Sequence, residues 1–296
     1  MKMNFIKISA VLSFLFLLLF YTGCKKSKDD PFTSEYINMA RESALCEAAF
    51  DDVLKVAENI MMNNNDARIA TTGAPLGCIT AIDSVVTGVN QKRYTATFND
   101  SCTSYDGVIR KGTIIFDLKG SNYNSVGSML VVTFQNYSFD SNRVSGKMVV
   151  NKTTSNAFTV KVSDTAGTGY AKISIFNPSD STRITTQWKG SVTRKIIAGD
   201  GNNIILDNAY HITTPNSGMT GITSDNKYYT AKISIPLLVK YNCRAVGQLR
   251  YPMYGRVDYV EETVNYRSVD YGDDSTICDN VILLIFNDTN ESENLY

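Results

Sequence analysis

The chain has 296 residues, with 29 Lys+Arg balanced by 29 Asp+Glu, one His and one Trp. Balanced charge without a Lys/Arg stripe excludes the electrostatic footprint of a nucleic-acid binder, and a lone His211 excludes a multi-histidine metal site. Hydrophobic content of 43% is that of a folded chain, with room for one large β domain or two ordinary ones.

Residues 1–23 read as a secretory signal. Lys2 and Lys7 precede the apolar run Ala10 to Tyr21, which is too short for a spanning helix. The run ends in Tyr21-Thr22-Gly23-Cys24. Small residues before a cysteine resemble the lipobox of bacterial lipoproteins, which implies diacylglycerol on the Cys24 thiol and cleavage before it. Two or three acyl chains, at about 0.8 kcal/mol per buried methylene, anchor a protein stably where one would not. Residues 24–32 are a tether, and Lys28-Asp29-Asp30 within it resembles the export tag of surface lipoproteins of the Bacteroidota. The outer membrane, its outer face favoured over the periplasmic one, is the expected location. Loss of residues 1–23 removes Lys2 and Lys7, leaving 27 bases against 29 acids. No polybasic patch then assists the membrane contact.

Between residues 33 and 66 the pattern is helical. Leu45, Ala49, Val53, Val56 and Ile60 fall on one face, while Glu42, Glu47, Asp51, Lys55 and Glu58 fall mostly elsewhere. Ser34 is the expected N-cap and Asn63 the expected stop. Such a helix needs a surface to lie on, and a cap over an open sheet end is expected.

From residue 73 to 288 the period becomes two. Ile114, Phe116 and Leu118 alternate with Thr113, Ile115 and Asp117; Ile184, Thr186, Trp188 and Val192 alternate with Arg183, Gln187, Lys189 and Thr193. Tyr229, Ala231, Ile233, Ile235, Leu237 and Val239 repeat the pattern against Tyr228, Lys232 and Ser234, interrupted at Pro236, which marks an edge or a bulge. One wet face per strand means antiparallel sheets. Val281 to Phe286 is continuously apolar and reads as a strand buried on both faces. Roughly a dozen strands and no second long helix predict a mainly β class. The expected architecture is an antiparallel, hairpin-connected, two-layer β domain with one N-terminal helix, and residues 289–296 as a flexible C-terminus.

Apart from Cys24, five cysteines remain. Cys78 and Cys102 flank one predicted hairpin, and Cys243 and Cys278 bracket another, so Cys78–Cys102 and Cys243–Cys278 are the expected bridges. Each would contribute about 3–4 kcal/mol through chain entropy. Cys46 is left as a buried, inert thiol. Close CxxC pairs, which a zinc site needs, are absent.

Several segments together resemble an uncharacterised family of Bacteroidota lipoproteins. They are Thr95 to Cys102, Asp106 to Ile115, Val132 to Tyr137, Asn142 to Gly146, Pro236 to Cys243, and Asp270-Tyr271-Gly272-Asp273 with Cys278-Asp279-Asn280. The likeness spans most of residues 40–287 and departs at Asp274 to Ile277, where extra residues precede Cys278. It implies a lipid-anchored β protein and supplies no catalytic residues.

Candidate chemistry is sparse. Asp270, Asp273, Asp274 and Asp279 offer hard oxygen ligands for Ca²⁺, though acids beside Gly272 are also ordinary turn formers and the spacing is not an EF-hand. Glu261 and Glu262, adjacent on a strand, point to opposite faces and cannot pair as acid and base. Asp200-Gly201-Asn202-Asn203 is a turn, since no G-K-S/T follows. His211 sits in an alternating strand, facing solvent or hydrogen-bonded. No cofactor is expected. Seventeen tyrosines, several in the last third, suit glycan contact, with Tyr251, Tyr254 and Tyr259 as candidates, although strands favour Tyr anyway. Ser181 and Ser275, in Asp-Ser-Thr triplets, resemble Bacteroidota O-glycosylation sites. Three functions compete: a non-catalytic envelope lipoprotein with a structural or adhesive role, a glycan-binding lipoprotein using the C-terminal tyrosines, and a hydrolase. The first is favoured. Its expected contacts are the membrane, through the lipid, and a glycan or envelope protein, with no nucleic acid.

Overall fold

The computed structural model describes residues 34–62, 78–99, 103–104, 107–176, 181–199, 207–215, 218–245, 252–261, 264–272, 281–286 and 289–294. Helix α1 (Ser34–Met62) has neither Gly nor Pro to interrupt it. Sixteen strands follow among the described residues. They are β1 (Ile79–Gly88), β2 (Gln91–Phe98), β3 (Arg110–Lys119), β4 (Met129–Phe139), β5 (Asn142–Ser145) and β6 (Lys147–Thr154). Next come β7 (Ala157–Ser163), β8 (Ala171–Phe176), β9 (Arg183–Ala198), β10 (Ala209–Thr213) and β11 (Met219–Ile222). The series closes with β12 (Tyr228–Lys240), β13 (Tyr254–Glu261), β14 (Val264–Asp270), β15 (Val281–Phe286) and β16 (Thr289–Asn294). A single helical turn, α2 (Tyr241–Ala245), separates β12 from β13.

Every strand pair is antiparallel and all belong to one sheet. Short strands share lanes. β5 and β6 both lie beside β4, β7 and β8 both lie beside β9, and β10 and β11 both lie between β9 and β12. Sixteen strands therefore fill thirteen lanes that run across the sheet in chain order, an up-and-down meander. Gly146 parts β5 from β6 at φ +127°, where a Cβ would stand 2.6 Å from the Ser163 carbonyl oxygen, so only glycine fits. Asp140 and Ser141, both at positive φ, form the two-residue turn from β4 to β5.

The sheet curls around α1. From Met39 to Met61 only Arg41 and Glu47 are even partly exposed. Ser43 lies against Tyr229 on β12 and Tyr259 on β13, whereas Asp52 bonds Arg110 on β3. Those positions are nine residues apart, a half turn at about 100° per residue, so strands of one sheet flank opposite sides of the helix. The two expected layers are arms of that sheet. The helix is the filling between them and not a cap at an open end, and Glu42, Asp51, Asp52, Lys55 and Glu58 are buried with the apolar stripe.

Inward registers follow the alternation. Ile114, Phe116 and Leu118 are buried, as are Thr186 and Trp188, and Tyr229, Ala231, Ile233, Leu237 and Val239. Ile184, expected inward, is exposed with the rest of the first three residues of β9, Val192 is half-buried, and Ile235 is half-buried between two register shifts. Pro236 falls within a run of register shifts between β12 and β13, the position of a bulge. Two expectations change. β15 is not buried on both faces: Ile282 and Leu284 point inward while Val281 is exposed, because only one arm of the sheet covers a strand this near the edge. Residues 289–294, expected to be a flexible tail, form the edge strand β16 paired along β15. Edge pairing uses backbone groups, so the polar sequence TNESEN can support it.

Candidate functional site

A cluster of buried ionisable groups lies between α1 and the sheet. Asp52 accepts two hydrogen bonds from Arg110, from Nε at 2.9 Å and Nη2 at 2.5 Å, and a third from the Tyr137 hydroxyl at 3.2 Å. The preceding residue, Asp51, accepts from Arg194 of β9. The Arg194 guanidinium also lies over the Tyr210 ring, 4.5 Å from its centroid. Glu58 accepts from the Tyr210 hydroxyl at 2.7 Å, and Asn208 donates to that same hydroxyl at 3.1 Å. Lys55 Nζ stands 5.9 Å from the Tyr241 ring centre.

Helical geometry explains the pairing. Asp51 and Glu58 are seven residues apart and point nearly the same way, and they meet the adjacent strands β9 and β10. Asp52 points about 100° away and meets β3 and β4. Asp51, Asp52 and Glu58 are three acids set against three bases, Lys55, Arg110 and Arg194, all at least nine-tenths buried. Burial is the largest influence on Glu58 and pushes its carboxyl up to about 7, although Arg194 and Tyr210 pull it down. Burial also drives the Tyr210 and Tyr241 phenols well above the usual tyrosine range, with Glu58 adding to the effect.

This network is closed to solvent. Arg110 has no exposed surface and Asp52 only 4%, so no substrate reaches them. Beside the network, Phe50, Leu54, Trp188 and Ile212 line an apolar void of about 50 Å³, far below the size of a ligand pocket. Phe50 fills the rest, its ring stacked on Trp188 at 5.7 Å.

The residues singled out from the sequence do not converge. Tyr259 is 1% exposed, its ring 5.8 Å from that of Tyr229, because it occupies an inward position of β13. It cannot contact a glycan. Tyr254 is half-buried and Tyr251 lies outside the described residues. Asp270 is engaged by Arg256, whose Nη2 donates to Oδ2 at 2.7 Å, and by the Gly272 amide at 3.0 Å on Oδ1. Asp273, Asp274 and Asp279 lie outside the described residues, among which no three potential metal ligands cluster. His211 faces solvent on β10, paired across to Leu238 and Lys195.

Cys46 is free and buried, and burial raises its thiol far above the usual range, which makes it unreactive at neutral pH. Cys78 and Cys243 are each disulfide-bonded; Cys102 and Cys278 lie outside the described residues, as does Cys24. Ser181 is exposed at positive φ before β9, and Ser275 is outside the described residues. The side chains of Glu261 and Glu262 are likewise not described.

Arg110 and Arg194, the central cations, were not picked out by sequence reasoning. The usable signal was parity: Arg194 shares the inward register of Thr186 and Trp188. A cation on the dry side of a strand calls for a buried acid.

Comparison with protein-family models, with curated protein sequences and with solved structures returned no match.

Proposed function

We propose that this chain is a lipid-anchored protein of the bacterial cell envelope, held at the outer membrane by acylated Cys24, with a non-catalytic structural or adhesive role. The observation that carries the reading is the occupied interior. A helix and a sealed ionic network fill the space where an enzyme of this shape would admit substrate. The lipobox-like Tyr21-Thr22-Gly23-Cys24 supports the anchor, and among the described residues no helix is long and apolar enough to cross a membrane. A rigid shell on a short charged tether presents its surface at a fixed distance from the lipid.

Cys24→Ser in the full chain tests the anchor. The variant is expected in the soluble fraction or as an unprocessed precursor. Mature, membrane-bound protein from that variant overturns the reading. Protease treatment of intact cells separates the outer face, which is favoured, from the periplasmic one.

The bridges Cys78–Cys102 and Cys243–Cys278 belong to the same proposal, since a protein outside the cytoplasm folds where thiols oxidise. Non-reducing peptide mapping should recover both, with Cys46 alkylated only after unfolding.

A further inference from the structure

A surface cleft of about 310 Å³ opens where the β1–β2 hairpin and the loop after β3 meet the last turn of α1. We infer that this cleft binds a saccharide of one or two units, which gives the adhesive reading above a ligand and a location. Its size is at the lower end of ligand pockets, enough for a pyranose and part of a neighbour.

The lining sets the ligand class. Asn90, Gln91 and Asn122 bring three carboxamides to the cleft, and Ser121 adds a hydroxyl. A carboxamide offers a donor and an acceptor side by side, which matches sugar hydroxyls that both give and take hydrogen bonds. Val86, Met61 and Leu118 supply apolar surface for the C–H face of a sugar ring. Tyr94 and Tyr123 complete the lining, with Lys92 Nζ 4.8 Å from the Tyr94 ring centre. Among the described residues no carboxylate lines the cleft, so they supply neither the acid pair of glycoside hydrolysis nor the ligands of a hard cation. Lys92 is the single cation among them, too little for a phosphate site.

The walls are fixed before any ligand arrives. The Gly120 amide donates to the Asn90 carbonyl at 2.8 Å, which ties one loop to the other. Asn90 holds a positive φ of 53°, a conformation asparagine tolerates better than most residues. Ser128 Oγ donates to the Tyr123 carbonyl at 2.9 Å, fixing the far wall. Tyr123 itself is buried and lies within electrostatic reach of Glu58 and Arg194, so it stands between the cleft and the ionic network. Pre-set walls lower the ordering cost of binding.

Saturation-transfer NMR on detergent-solubilised full-length protein tests the inference. The probes are glucose, galactose, mannose, N-acetylglucosamine, maltose and lactose, with inorganic phosphate as a separate arm. At least one sugar should bind. Its affinity should fall at least tenfold in the double variant Gln91→Ala/Asn122→Ala, vanish in Ser121→Trp, and stay within twofold in Tyr254→Ala. All the altered cleft positions are exposed, and circular dichroism verifies each fold. If Ser121→Trp does not fold, the double variant decides. Absence of binding by all six sugars, binding of phosphate alone, or affinity unchanged in the double variant overturns the inference. Because binding is read in micelles, a negative result leaves the Cys24 anchor standing, and a failed anchor leaves the cleft standing.

Discussion

The two arms of the sheet hold the same helix by different means. The arm containing β3, β4 and β9 grips α1 through Arg110 and Arg194, each paired with an aspartate of the helix. The arm of β12 to β14, neutral in the sense that its described contacts with the helix are hydroxyl and ring contacts, brings one cation, Arg267, to the face of a ring. Tyr36 donates to the Ser268 carbonyl at 2.7 Å under the Arg267 guanidinium, and Ser43 faces the buried Tyr229 and Tyr259. Buried ion pairs tolerate almost no displacement, because a charge left without its partner in a dry interior is costly. Hydroxyl and ring contacts lose little when they shift. The charged arm thus sets the rotation and height of the helix, and the neutral arm packs against the result.

Breaking the charged arm should have the largest effect. Arg110→Met strands Asp52 and should cost about 3–5 kcal/mol in urea unfolding. Adding Asp52→Leu should recover much of that loss, since an apolar pair of similar volume is often no worse than a buried ion pair. A double variant as unstable as the single one would show that Arg110 acts through packing alone.

Glu58 sharpens the comparison by pH. Its carboxyl is raised in the folded protein to about 7, so the folded state holds a proton that the unfolded chain releases near 4.5. Stability should therefore fall as pH rises from 4.5 to about 7 and level off above, by at most about 3 kcal/mol from this group. Glu58→Gln should flatten that slope and be the more stable form at pH 8. Identical pH profiles for the variant and the parent would remove Glu58 from the account.

The neutral arm should give the smallest change. Tyr36→Phe removes one hydrogen bond to a backbone carbonyl and should cost about 1 kcal/mol, equally at pH 5 and pH 8. A larger or pH-dependent loss would mean that this arm, too, is held electrostatically.

The sequence revealed elements better than surroundings. Periodicity placed α1 between Ser34 and the asparagines after Met62, and alternation identified the inward residues of β3 and most of those of β12, where it overstated Ile235 and missed Leu238 beside the bulge. It could not reveal that α1 is enclosed. An amphipathic pattern separates an apolar side from a polar one, and the polar side is normally wet. Here Asp51, Asp52, Lys55 and Glu58 face arginines and tyrosines donated by strands far along the chain. The cleft was hidden for a similar reason. Gln91 and Asn122 are unremarkable turn-region amides until hairpin geometry brings them together. Tyr259 shows the converse: a tyrosine in a strand is a surface candidate only if its parity faces outward, and this one faces in.

The enclosure of α1 also dictates an order of assembly. The helix is the first of the described elements, yet Asp52 waits for a partner 58 residues on, Asp51 for one 143 on, and Tyr36 for one 232 on. Such distant partners make closure slow, because each demands a long loop before it returns any energy. A chain cut anywhere before Ser268 would leave Tyr36 without its acceptor and the helix open along one side. On the export route proposed above, in which the chain is threaded through a pore, the delay is useful. The N-terminal segment stays slack and easily drawn forward, and the shell shuts only when the last strands have come through.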